Sequence, residues 1–331
     1  MLKIGLLGAG RIGQVHAAAI SAHPDSVLAA VSDVYVPAAE ALATPYDAAV
    51  KSSDEIIADS AIDAVLVATS TDTHSDLIEA ATRAGKAVLC EKPVDLSLAR
   101  ARVCLANAEQ TGQPVMVGFN RRFDPNFALI KAGLAAGEIG KAELLSITSF
   151  DPAPPPVSYI KVSGGLFRDM MIHDFDMANF IMGEAPVSIS ATGSCVVDPE
   201  IGAAGDIDIA IVTLTYADGK LAVIKNSRRA GYGYDQRLEV LGADGLLQVN
   251  NMLESSVVKS TTDGVVSAKP TYFFLERYMP AYRAEWAAFV EAMQANNPMP
   301  VTLEDGVQAL AMAEAAKQSL DTGKPVALAD V

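Results

Sequence analysis

Cysteine is scarce: Cys90, Cys104 and Cys195 are the only three in 331 residues, and none stands in a Cys-x-x-Cys spacing, which leaves no basis for a disulfide framework or a zinc site. Positive charge is short as well. The 25 Lys and Arg face 40 Asp and Glu, a formal net charge of -15, and no Lys/Arg-rich segment concentrates the cations, so a nucleic-acid footprint is excluded. No apolar run approaches the roughly 20 residues of a membrane-spanning helix. Met1 leads straight into an apolar strand, without the basic region, hydrophobic core and small-residue cleavage site of an export signal, and a cytoplasmic protein is expected. With 50% hydrophobic residues the chain can build a large core, and its length fits about two domains.

The densest chemistry lies in SGGLFRDMMIHDFDMANF, residues 163–180, where a glycine pair opens a run of helical spacing. Asp169 and His173 are four residues apart, so a helix of about 3.6 residues per turn stacks them on one face, and Asp176 extends the stripe. Leu166, Phe167, Met170, Ile172, Phe175, Ala178 and Ile181 cover most of the remaining circumference, so the helix is expected to be buried and its polar stripe to need partners. Three readings are open: a proton-transfer pair, a structural Asp–His bond, or a divalent-ion site. The last lacks a Cys or second His spaced to help.

The first half alternates. Residues 3–7 form an apolar strand, GAGRIG follows with Gly8, Gly10 and Gly13, and a helix over 14–22 comes next. Gly8 allows a tight turn, Gly10 lets backbone approach a pyrophosphate, and Gly13 lets helix and strand pack closely. A second strand, 27–31, leads to Asp33, about 20 residues past the third glycine, where an acid bonds a ribose 2′-OH. Val34, Tyr35 and Val36 place no cation to meet a 2′-phosphate, so NAD is expected over NADP. Helices at 53–59, 73–84 and 97–111 then alternate with strands at 64–68, 87–90 and 114–117, which predicts a parallel Rossmann sheet with ligands at the strands' carboxyl ends. The loop 69–74 and Glu91, Lys92 and Pro93 fall at such ends. Lys92 either points into the cofactor cleft or is a solvated charge, and His74 either serves that cleft or caps the following helix. GFNRRFDP, 118–125, marks the seam between a domain over 1–120 and one over 121–331, with a cleft expected there.

In the second half, segments 141–150, 187–197, 207–217, 220–228, 236–241 and 255–261 read as strands of an open, largely antiparallel sheet. The helix 167–182 is the natural cover for one face. Both alternating sets of 207–216 are largely apolar, so the other face needs cover too: a second subunit packing sheet against sheet, giving a dimer or tetramer, or the helical stretches 282–295 and 303–322 folding back. DPAPPP, 151–156, reads as a stiff loop over the cleft mouth.

Together GAGRIG at 8–13, EKP at 91–93, GFNRRFDP at 118–125 and DMMIHDFD at 169–176 resemble the Gfo/Idh/MocA oxidoreductases, with YGYD at 232–235 and AYRAEW at 281–286 extending the likeness over nearly the whole chain. The resemblance implies an α/β N-terminal Rossmann domain and an α+β C-terminal domain. It implies NAD as cofactor, bound by Gly8, Gly10, Arg11, Ile12, Gly13, Asp33, Thr69, Ser70, His74, Glu91 and Lys92. It also implies Lys92, Asp169 and His173 as the catalytic set, no metal, Arg122 and Tyr232 lining a polyol site, and a cis bond between Lys92 and Pro93. Many relatives carry proline where this chain has Ser70, which bears on the rigidity of that loop. The expected reaction is oxidation of a secondary alcohol of a cyclic polyol, myo-inositol to its 2-keto form. Another inositol isomer, an aldose such as glucose, or a non-catalytic NAD-binding regulator are the alternatives. In the expected reaction His173 takes the hydroxyl proton, Asp169 supports the ring, and Lys92 holds the alcohol oxygen.

Overall fold

A computed structural model describes residues 1–331, and the chain divides into two compact units: Met1–Phe123 with Met279–Leu310, and Asp124–Tyr278 with Ala311–Val331. The sequence suggests one boundary at 120/121, whereas the chain passes between the units three times, twice inside long C-terminal helices.

The first unit runs β1 (Leu2–Leu7), α1 (Arg11–Ala22), β2 (Ser26–Ser32), α2 (Val36–Ala43), β3 (Ala49–Val50), α3 (Ser53–Ala58), β4 (Ala64–Val67), α4 (His74–Arg83), β5 (Ala87–Glu91), α5 (Leu98–Thr111) and β6 (Val115–Gly118). Its six strands are all parallel in the order β3-β2-β1-β4-β5-β6. Every residue of β4 and β5 is buried, as expected where helices cover both faces. Local signals fix the helix ends. Ser52 and Glu55 form a reciprocal capping box at α3, the Ser97 hydroxyl accepts from Arg100 N–H at α5, and Gly112 closes α5 with left-handed backbone. The returning segment Met279–Leu310 is stitched to the sheet by Trp286, which is buried and donates from Nε1 to Ser26 Oγ at 2.9 Å.

Strand order reverses between β1 and β4, and the turn after β1 lies at that reversal. Gly8 has φ +102°, and a Cβ there would sit 2.3 Å from the Ala68 carbonyl oxygen. A Cβ on Gly13 would sit 2.0 Å from the Gly8 carbonyl oxygen, so α1 is pressed against its own turn.

The second unit holds α6 (Pro125–Ala135), β7 (Ala142–Phe150), α7 (Val157–Ser163), a π-helical turn (Phe167–Met171), α8 (Ile172–Met182), β8 (Ser188–Ser194), α9 (Pro199–Ala203), β9 (Ile209–Thr215), β10 (Leu221–Ser227), β11 (Asp235–Gly242), β12 (Gly245–Val249) and the hairpin β13 (Val258–Thr261) and β14 (Gly264–Ser267). After α10 (Phe274–Ala295) and α11 (Leu303–Thr322), both shared with the first unit, β15 (Val326–Ala327) ends the sheet. The seven strands follow β12-β11-β7-β10-β9-β8-β15, antiparallel except for β7 beside β10. The strand expected at 255–261 pairs only within its hairpin and stays outside this sheet. The helix expected from 282 begins earlier and carries Pro280 inside it.

One face of the second sheet is apolar and buried, with Leu145, Ile147, Ala210, Val212, Leu214, Ala222, Ile224 and Val240. The Ser319 hydroxyl of α11 accepts from Ala191 N–H at 2.9 Å and ties the C-terminal helix to β8. On the outer face Leu144, Ile211, Leu221 and Leu241 remain 39%, 52%, 42% and 42% exposed, so the C-terminal helices do not fold back over it. No helix is long and apolar enough to cross a membrane.

The packing at Gly13 gives a first expected outcome. Gly13→Ala destabilises the chain by about 1–3 kcal/mol, the usual cost of overpacking. Gly10→Ala, whose Cβ meets nothing within 4 Å, leaves the melting temperature near that of the parent. Equal melting temperatures for parent and Gly13→Ala would show that the turn relaxes freely.

Candidate active site

The residues expected to hold the cofactor gather at the carboxyl ends of β1, β2, β4 and β5. Gly10 is the N-cap of α1, with extended backbone and no side-chain cap, and open space stands where its Cβ would be. The first N–H groups of a helix lack internal partners and favour an anion, so this end is shaped for a pyrophosphate. Arg11 is exposed and Ile12 half-buried beside it. Asp33 is held by the turn it faces: Ala9 N–H donates to Oδ2 at 2.7 Å and Tyr35 N–H to Oδ1 at 2.8 Å. Val34, Tyr35 and Val36 are exposed, and none is cationic. A backbone cradle ending in a fixed carboxylate suits a ribose diol and disfavours a phosphate on it.

The loop after β4 is tied to the segment after β5. Thr69 and Thr73 hydroxyls lie 2.6 Å apart, and Ser70 has φ -71°, the angle a proline would impose, so the serine keeps a proline-compatible course. His74 does not cap α4 through its side chain. It is buried, with Nδ1 2.8 Å from the Pro93 carbonyl and Nε2 3.2 Å from that of Thr69, and burial lowers its pKa. A neutral ring has one N–H, and the shorter contact assigns it to Nδ1. The Lys92–Pro93 bond is cis and Lys92 is half-buried.

Glu91 has a partner that sequence reasoning missed. His16 of α1 is buried, its Nε2 2.7 Å from Glu91 Oε1, and Lys92 N–H donates to Glu91 Oε2 at 3.3 Å. Burial opposes the Glu91 charge, but the His16 bond, with Lys92 and His74 nearby, outweighs it and holds the carboxyl below its ordinary pKa. Arg122, expected at the polyol, has one guanidinium nitrogen 3.0 Å from Asp305 Oδ1 and another 3.5 Å from the Pro300 carbonyl.

In the second unit the expected continuous helix is broken. Asp169 lies in the π-helical turn and His173 in the first turn of α8, both half-buried. Such a turn widens the helix locally, and π turns recur at functional sites. Asp169 accepts from the Tyr159 hydroxyl at 2.9 Å and faces Arg228 at 3.6 Å, and Arg228, itself buried, reaches Asp206 at 3.3 Å. Asp174, next to His173, turns the other way. It accepts from Ser149 at 2.6 Å and from Asn226 at 2.8 Å, so two polar residues on the inner sheet face anchor α8. Asp176 is buried, and no three His, Cys, Asp or Glu side chains converge as metal ligands. Tyr232 is exposed on its ring and donates to Asp235; burial, then that carboxylate, pushes its pKa up to about 12, so it remains a donor at neutral pH. Tyr159, Arg228 and His16 carried no motif of their own. The one signal available for each was a polar residue at an otherwise apolar or strand-end position.

Family models match both parts of the chain: an oxidoreductase family with an NAD-binding Rossmann fold over residues 2–119, and its C-terminal alpha/beta domain over residues 131–328. The chain is 48% identical over 328 residues to the inositol 2-dehydrogenase of Rhizobium meliloti, covering 99% of each. It is 45% identical over 332 residues to the myo-inositol 2-dehydrogenase of Thermotoga maritima, covering 100% of this chain and 99% of that one. The crystal structure of a myo-inositol dehydrogenase from Corynebacterium glutamicum superposes with a TM-score of 0.96 at 45% identity, covering 99% of both chains. The parallel sheet and glycine turn of the first part agree with the sequence match, which extends over both parts, and the chain belongs to the Gfo/Idh/MocA family of oxidoreductases, with NAD as its cofactor.

Proposed function

We propose that the chain oxidises the C2 hydroxyl of myo-inositol to the ketone with NAD. The observation that carries the reading is the cradle of Gly10 and Asp33, with Lys92 at the neighbouring strand end, in a chain 48% identical to an inositol 2-dehydrogenase. NAD, when bound, supplies the hydride acceptor. The unit of Met1–Phe123 with Met279–Leu310 holds it through Gly8, Gly10, Arg11, Ile12, Gly13, Asp33 and the loop 69–74, and the unit of Asp124–Tyr278 with Ala311–Val331 supplies substrate-binding and oligomerisation surfaces. His173 takes the hydroxyl proton, for which an imidazole of reference pKa about 6.5 is matched near neutral pH. Asp169, steadied by Tyr159 and Arg228, supports the imidazolium, and Lys92 stabilises charge developing on the alcohol oxygen. Tyr232, whose proton goes to Asp235, accepts from a ring hydroxyl, while Arg122 contributes from its seat on Asp305. Three free cysteines support a reducing cytoplasm.

The exposed apolar outer face supports pairing of two copies sheet against sheet, in a dimer or tetramer. Light scattering at micromolar concentration should give that mass, and Ile211→Asp should shift it toward the monomer. A monomeric parent protein contradicts the pairing.

Asp33→Ala should weaken NAD binding and narrow the preference over NADP, because it removes the ribose contact and the repulsion of a 2′-phosphate together; titration with both cofactors checks this, and an unchanged preference places Asp33 away from the ribose. His173→Ala should lose about 10²- to 10⁴-fold in turnover, the usual worth of a general base, while it binds NADH and melts normally. In the parent the rate should fall as pH drops through the base's pKa, since a protonated imidazole accepts no proton. A folded His173→Ala that turns over myo-inositol at the parent rate defeats the assignment, and faster NADH production from glucose than from any inositol would move the substrate to the aldoses.

A further inference from the structure

From the buried contact among His16, Glu91 and the Lys92 backbone we infer that His16, on the helix after the glycine turn, is a positioning residue for Lys92. The inference rests on the proposed role of Lys92 in the oxidation.

Gly13 brings α1 close to its own turn, and His16, one turn on, is fully buried on a helix whose Val15, Ala17, Ala19 and Ile20 are buried as well. An imidazole there costs stability unless it is bonded. Its Nδ1 is buried and has no partner, so the ring proton belongs on Nε2, which donates to Glu91 Oε1 at 2.7 Å. The ring meets the edge of Tyr282 at 5.5 Å, an apolar contact that fixes its plane. Gly118 on β6 leaves room for the Glu91 side chain, since a Cβ there would lie 3.3 Å from both Glu91 Cα and Cδ. With one carboxylate oxygen taken by His16, the other accepts the Lys92 N–H at 3.3 Å.

The far side of the same segment is held by a second histidine, because His74 Nδ1 donates to the Pro93 carbonyl at 2.8 Å. Lys92 therefore stands on three residues gripped from α1 at one end and from α4 at the other. A lysine side chain has many rotamers, and its ammonium can meet a developing alkoxide reproducibly only from a fixed backbone. The low pKa of Glu91 fits this, as an ionised carboxylate accepts both bonds at once.

The test compares His16→Phe, His16→Gln and Lys92→Met for steady-state kinetics with myo-inositol, NADH binding and melting temperature. His16→Phe keeps a ring against Tyr282 and loses the donor. Its kcat should fall about 10- to 100-fold, the scale of misplacing a reacting group by about 1 Å, with the Kd for NADH changed by no more than about twofold. His16→Gln, which restores an N–H near the Nε2 position, should recover most of the loss. A role confined to stability lowers melting temperature in both and reduces kcat only in proportion to folded protein. If His16→Phe does not fold, His16→Leu, which also removes the donor, is read in its place and should show the same kcat loss with NADH binding kept. Parent-like kcat in the folded variant, with Lys92→Met inactive, overturns the positioning role alone. Parent-like kcat in Lys92→Met overturns the assignment of Lys92 itself and this inference with it.

Discussion

The approach of α1 to its own turn is the contact on which the cofactor side depends. At Gly13 no side chain fits between helix and Gly8 carbonyl, and at Gly8 none fits against Ala68. That closeness leaves the N-terminus of α1 open at Gly10, places Ala9 N–H on Asp33, and brings His16 to Glu91. A single steric demand thus sets the open helix end at Gly10, the seat of the Asp33 carboxylate and the backbone of Lys92. Removing one link shifts the others, because the interior between helix and strand has no slack.

The second unit solves a different problem: how to present polar groups from a helix that is otherwise buried. Asp174 is pinned to the inner sheet face by Ser149 and Asn226, and this fixes the rotation of α8. His173, the preceding residue, projects about 100° around the helix from Asp174 and is half-buried. The π-helical turn before it offsets Asp169 from regular helical spacing and hands it to Tyr159 and Arg228. Arg228 links Asp169 to Asp206, whose other oxygen accepts Leu166 N–H at 3.0 Å, so the start of the π turn and its acid share one guanidinium.

Much of the cofactor side was legible in the sequence because its determinants are local. Glycine spacing, an acid after the second strand and strands alternating with helices each follow from chain geometry over a few residues. Lys92 was placed by the same logic, as the residue after a buried strand. The π turn was not legible, since apolar periodicity around Asp169 suits an unbroken α-helix and does not record a change of hydrogen-bond ladder. His16 read as helix interior because its partner lies at a different strand. The parallel pairing of β7 with β10 arises because the sequence between them builds other elements first, and the hairpin β13–β14 carries a strand pattern without a place in the main sheet. The helix expected from 282 begins at Phe274 and runs through Pro280.

The proposed reaction moves hydrogen from C2 of a cyclic polyol to NAD. It is tested most directly by incubating the enzyme with NAD and myo-inositol deuterated at C2, then examining cofactor and product by mass spectrometry and NMR. Deuterium is expected on C4 of the reduced nicotinamide, with a slower rate than for unlabelled substrate when hydride transfer limits turnover, and a ketone at C2. Reduced cofactor without deuterium, or no reduced cofactor from any inositol, contradicts it.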